Sequence, residues 1–146
     1  MLRFFSVILV LSLVSTQNAA ADPPPFGDNF KNKGILEASI FFTTPCEGKS
    51  DLPHISRHKP GTVNVQARTR CPGKYVEITT RLTRVQPSGN FSTTRSKHGT
   101  GLVTVNASLP CIWKKGKKKI KYEVASVHRL WDGQIGYTYN YNYLEC

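Results

Sequence analysis

From Thr62 onward apolar and polar positions alternate. In Thr62–Cys71, Val63, Val65, Ala67, Thr69 and Cys71 fall on one face, and Asn64, Gln66, Arg68 and Arg70 on the other. A period of two is that of a β-strand, whose successive side chains point to opposite sides. Tyr75–Val85 repeats the pattern, with Val76, Ile78, Thr80 and Leu82 expected inward and Glu77, Thr79, Arg81 and Thr83 outward. Leu102–Cys111 repeats it through Val103, Val105, Ala107, Leu109 and Cys111. The Val-x-Val-x-Ala spacing shared by the first and last of these stretches is read as common strand chemistry rather than an internal repeat.

Turn signals separate the strands. Pro72-Gly73, Pro87-Ser88-Gly89 and the segment Lys97–Gly101 each predict a reversal. Ile35–Phe42 predicts a first strand, closed by Pro45, which has no N–H to give a ladder. Glu47–Gly61 reads as a long polar loop, and Asn90–Ser96 as a polar edge strand on which Arg95 would discourage further pairing. Asp132-Gly133 joins the last two strands, Lys118–Trp131 and Gln134–Tyr143, as a hairpin, because Gly adopts φ > 0 freely and Asp tolerates it. On the return strand Tyr137, Tyr139, Tyr141 and Tyr143 share a face. The opposite face carries Thr138, Asn140 and Asn142, so the tyrosines are expected to be the buried side. The competing reading is an exposed stacking platform for sugars or single-stranded bases.

These elements predict an all-β domain over residues 35–146, an antiparallel β-sandwich of about seven strands, immunoglobulin-like. Residues 22–34, rich in Pro and Gly, read as a flexible leader. Residues 1–21 read as a secretory signal peptide: Arg3 precedes an apolar run from Phe4 to Val14, and Ala19-Ala20-Ala21 offers a small-residue cleavage site. No stretch after the signal is long and apolar enough for a membrane-spanning helix. The expected location is secreted, extracellular.

Cys46, Cys71, Cys111 and Cys146 all lie beyond the signal, and an even count in a small exported domain predicts two disulfides. If the strands after the first run alternately up and down, Cys111 and Cys146 end at the same side and Cys71 at the other. That favours Cys111–Cys146. Cys46–Cys71 follows by elimination, and requires the first strand to run parallel to the second. The alternative, Cys71–Cys111 with Cys46–Cys146, joins opposite ends. Each bridge is expected to contribute about 2–4 kcal/mol.

Charge brings in function. Twenty Lys and Arg stand against nine Asp and Glu, a formal net charge of +11, and signal cleavage would remove only Arg3 from the basic side. The densest charge is Lys114, Lys115, Lys117, Lys118 and Lys119, with Trp113 before it and Lys121 just beyond. A cationic loop beside an indole suits phosphates, acidic glycans or an anionic surface; the plainer reading is a solvated hairpin connection. Arg68, Arg70 and Arg81 share the outward parity of their strands, Arg84 does not, and scattered strand arginines are usually solvent-facing. Asp51, His54 and His58 fit no metal template, so no metal and no cofactor is expected. His128 falls on the inward parity of Tyr122 and Val124 and reads as a satisfied, partly buried imidazole. No nucleophile elbow, zinc-protease motif or phosphate loop occurs, and His98, His128 and the serines have nothing to fix them as a triad, so no catalytic residue is assigned. Asn90 and Asn106 head potential glycosylation sites.

The expectation is therefore a secreted, disulfide-stabilised basic module that binds an anionic polymer, surface or protein through Trp113, Lys114, Lys115, Lys117, Lys118, Lys119 and Lys121, with nucleic acid possible but not favoured. The alternative is a secreted effector or toxin, including a small hydrolase, drawn to an acidic substrate by its charge.

Overall fold

The computed structural model describes residues 37–112 and 119–146. The expected signal and leader, and the segment Trp113–Lys118, lie outside the described residues. Among the described residues seven strands form: β1 (Glu37–Phe41), β2 (Glu47–Asp51), β3 (His54–Ile55), β4 (Thr62–Val85), β5 (Phe91–Pro110), β6 (Ile120–Leu130) and β7 (Ile135–Leu144). All belong to one hydrogen-bonded sheet, and every ladder is antiparallel.

The spine is the β4–β5 hairpin. β5 occupies one edge of β4 for nearly its whole length, from Thr62↔Pro110 to Arg84↔Phe91. The other edge of β4 is shared in turn by β3 at Val63 and Asn64, by β2 at Ala67 to Arg70, and by β6 from Val76 to Val85. Between Cys71↔Gly101 and Tyr75↔Thr100 the register shifts. Here Gly73 (φ 67°) and Gly101 (φ 80°) take left-handed backbone that a side chain would strain. An irregularity of this kind bends a strand without ending it.

The sheet consequently doubles over. Near the bend, Ala67 and Cys71 share an apolar cluster with Val76, Ile78, Val103, Val105 and Leu130. Away from it, Val63 and Val65 cluster with Leu82, Ala107, Leu109, Tyr122 and Val124. Side-chain contacts then draw β7 towards the β1–β2 side: Thr43 donates to Gln134 Oε1 (2.8 Å) and Asn142 Nδ2 donates to the Pro53 carbonyl (2.9 Å). The body is nearly a barrel.

The expected antiparallel β architecture and both bridges are present, Cys46–Cys71 (Cα–Cα 4.4 Å) and Cys111–Cys146 (5.6 Å). β1 and β4 are both antiparallel to β2, so they run in the same direction, as the first bridge required, although β2 lies between them. Because β4 doubles over, its two halves still run opposite ways, and the direction argument holds. The Asp132-Gly133 hairpin also forms, with Gly133 at φ 86° and its N–H on the Leu130 carbonyl (3.1 Å).

Three expectations need correction. Pro72-Gly73 and Lys97–Gly101 form a paired bend within continuous strands rather than two strand-ending turns, so four expected strands are two long ones. Glu47–Gly61 is not a loop throughout; it supplies β2 and β3. The tyrosines of β7 are outside: Gly136, Thr138 and Asn140 are buried, Tyr137 and Tyr143 are exposed, and Tyr139 and Tyr141 are half-buried.

Candidate functional site

The doubled sheet has two unlike ends. At the bend, Cys46–Cys71 is buried in the apolar cluster. At the far end the turn Arg57–Gly61, the roots of the lysine segment and the C-terminus come together. Ser56 N donates to the Thr62 carbonyl (2.9 Å), Lys59 N to Ser56 Oγ (3.0 Å), and Thr62 Oγ1 to the Lys59 carbonyl (2.7 Å). This pins a tight turn whose Arg57, His58 and Lys59 are all exposed. The Cys111 N–H donates to the Gly61 carbonyl (2.8 Å), and Cys111 is bridged to Cys146. β5 ends at Pro110, just before this tied residue, and β6 begins at Ile120, opposite Leu144.

Of the residues expected to bind, Trp113, Lys114, Lys115, Lys117 and Lys118 lie outside the described residues. Lys119 is exposed. Lys121 is half-buried, its ammonium 2.5 Å from Glu123 and 4.8 Å from the Tyr141 ring centre. The hydrogen bond to Glu123 raises its pKa against a smaller desolvation effect. Lys121 thus stays charged, but Glu123 already answers part of that charge. Arg57 and Lys59 were not anticipated as members of this end. Their signal was present as Arg-His-Lys beside Pro60-Gly61, but proximity to Cys111 depends on the β4–β5 register.

The arginines divide by parity as expected. Arg68 pairs with Asp51 (3.1 Å), while Arg84 is buried, donates to the Pro110 carbonyl (3.3 Å) and lies 5.2 Å from the Phe91 ring centre. His54 Nδ1 is 3.0 Å from the Leu52 carbonyl, so neither Asp51 nor His54 stands idle.

Between the two apolar clusters runs a buried polar chain. His128 Nδ1 is 2.7 Å from Thr69 Oγ1 and Nε2 is 2.9 Å from Thr138 Oγ1. Thr138 meets Ser50 (2.6 Å), Ser50 meets Ser126 (2.8 Å), and Thr80 donates to Ser126 (3.1 Å). β2, β4, β6 and β7 are thereby stitched through hydroxyls. Burial pushes the His128 pKa down to about 4, because the charged form would lose its water. The space for the ring comes from Gly48, where a Cβ would lie 2.9 Å from the imidazole. With no exposed surface, this imidazole is structural rather than a base open to substrate. His98 is exposed and sits beside Tyr75, ring centres 5.8 Å apart.

On the outer face of the hairpin, Tyr137, Tyr139, Tyr141 and Tyr143 share one side of β7, and the last three lie ring to ring. Centroids are 6.3 Å apart for Tyr139–Tyr141 and 6.0 Å for the edge-on pair Tyr141–Tyr143. Burial and a hydrogen bond to Glu123 raise the Tyr139 pKa, so its hydroxyl keeps its proton.

No protein-family model matches the chain, and no curated protein matches it. Among solved structures it is similar to Spo0M, a sporulation control protein from Bacillus subtilis, at 14% identity and a TM-score of 0.30. That alignment covers 69% of this chain and 49% of the other, so the match spans about half of that protein's length.

Proposed function

We propose that this protein is a secreted, disulfide-stabilised basic module that holds an anionic polymer or surface at the end of the sheet bearing the lysine segment. The observation that carries the reading is the Cys111 N–H to Gly61 carbonyl bond, which ties the root of the lysine-rich segment to the exposed Arg57-His58-Lys59 turn. Two basic segments far apart in sequence are thus rooted together, and clustered cations attract an anion more strongly than scattered ones. The two disulfides fit an oxidising compartment and support export. In the same reading, the facing halves of the sheet are the two layers of an immunoglobulin-like sandwich, supported by Val63 and Val65 packing with Leu82 and Val124.

The test is retention on polyphosphate and heparin resins across a salt gradient. The wild-type protein is expected to elute late. Replacing Lys114, Lys115, Lys117, Lys118 and Lys119 by Gln should send it into the flow-through, and R57Q/K59Q should shift elution to intermediate salt. Retention of the five-lysine variant at wild-type salt would overturn the proposal.

A further inference from the structure

We infer that the tyrosine band of β7 is a second contact for the same ligand, and that the ligand is an acidic polysaccharide. The inference rests on the anion-binding reading above and adds its substrate class. The argument begins with position. Tyr143 lies opposite Lys121 in the β6–β7 ladder, and Leu144 opposite Ile120, where β6 begins after the lysine segment. The band therefore starts at the basic end and runs along the outer face to Tyr137, a length of about 20 Å at strand rise. A polymer held by its anionic groups at that end has the band beneath its next units.

The chemistry of the band then selects among polyanions. A sugar ring presents C–H groups to the electron-rich face of an aromatic ring, and its hydroxyls seek polar neighbours around it. Tyrosine supplies both a ring and a hydroxyl, and Tyr137 and Tyr143 are 42% and 52% exposed. Beside the band, Thr83, Glu123 and Tyr141 lie in one cross-strand row, Arg81, Ala125 and Tyr139 in the next, and Thr79, Val127 and Tyr137 in the third. Small side chains at Thr83 and Ala125 leave room for a ligand lying against the rings.

Charge excludes the competitors. Glu123 stands within the band, paired with Lys121 and bonded to Tyr139, so this stretch carries an anionic oxygen among the cations Lys121 and Arg81. A polyphosphate chain brings charge to that stretch but no ring to set against the tyrosine faces. A lipid surface would have to bury the same carboxylate and the phenolic hydroxyls, which is costly. A polysaccharide with acidic groups among neutral hydroxylated surface fits a site that is cationic at one end and aromatic, of mixed charge, along its side.

The test compares polygalacturonate, dextran and polyphosphate by titration calorimetry with the wild-type chain, the five-lysine variant and Y137S/Y143S. Tight binding of polygalacturonate, weak binding of dextran, and a loss of about tenfold in polygalacturonate affinity in Y137S/Y143S with polyphosphate binding unchanged would support the inference. Should Y137S/Y143S fail to fold, protection of Tyr137 and Tyr143 from nitration by bound polygalacturonate in the wild type gives the same answer. Unchanged polygalacturonate binding in a folded Y137S/Y143S, no protection of the rings, or dextran binding as tight as polygalacturonate would overturn it while leaving the basic-end reading intact. If the five-lysine variant binds polyphosphate normally, that earlier reading fails, and this one with it.

Discussion

The two faces of β7 do opposite work. Inward, Gly136, Thr138 and Asn140 are small or polar and buried; outward, four tyrosines line the surface. Hydrophobicity along the strand alone would turn it over. The opposing wall decides the matter instead. A Cβ on Gly136 would lie 2.7 Å from Ile40 Cδ1 and 2.8 Å from Phe42 Cζ, so there is no depth for a ring. At Thr138 the wall offers His128 and Ser50, whose polar atoms demand a hydroxyl between them. Interior faces are chosen by fit and polar satisfaction as much as by apolar character.

Acid should strain the inner face most. With its pKa pushed down to about 4, folded His128 refuses a proton that the unfolded chain accepts below its ordinary value near 6.5. Its contribution is therefore fully present above about pH 6.5 and falls as pH drops towards 4, by about 3 kcal/mol in total. Urea unfolding at a series of pH values checks this; replacement of His128 by Asn should flatten that part of the profile. Thr138→Val follows, at about 1–3 kcal/mol, since it leaves both Ser50 and His128 Nε2 short of a partner. Gly136→Ala should cost about 1–2 kcal/mol through overpacking against Ile40 and Phe42, read as a lowered melting temperature. On the outer face, Tyr143→Ser should change stability by no more than about 0.5 kcal/mol. An outer substitution as damaging as an inner one would erase the contrast.

How much of this was readable beforehand follows the same division. In β4 and the second half of β5 the inward residues include Val63, Val65, Val76, Ile78, Leu82, Val103, Val105 and Leu109, so alternation alone assigned their faces. β2 escaped because its inward residues are Gly48 and Ser50, one making room for His128 and the other bonding Ser126 and Thr138, and neither carries an apolar signal. Pro72-Gly73 misled for a different reason. Gly73 at φ 67° serves a bend within a continuing ladder as well as a reversal, and only the partner strand distinguishes the two. Of the candidate site, the lysine cluster and the tyrosine spacing were legible; the Arg57–Lys59 turn and the outward aim of the rings were not, because both depend on pairings remote in sequence.

Cys111 is anchored twice, by the Gly61 carbonyl and by the bridge to Cys146, and Ile120 is fixed in a ladder. Residues between such moorings can change in number and kind at little thermodynamic penalty, since closure entropy grows only slowly with length. The frame would then serve as a mount for interchangeable tips: a segment of different charge, grafted between Cys111 and Ile120, would leave the scaffold that carries it undisturbed.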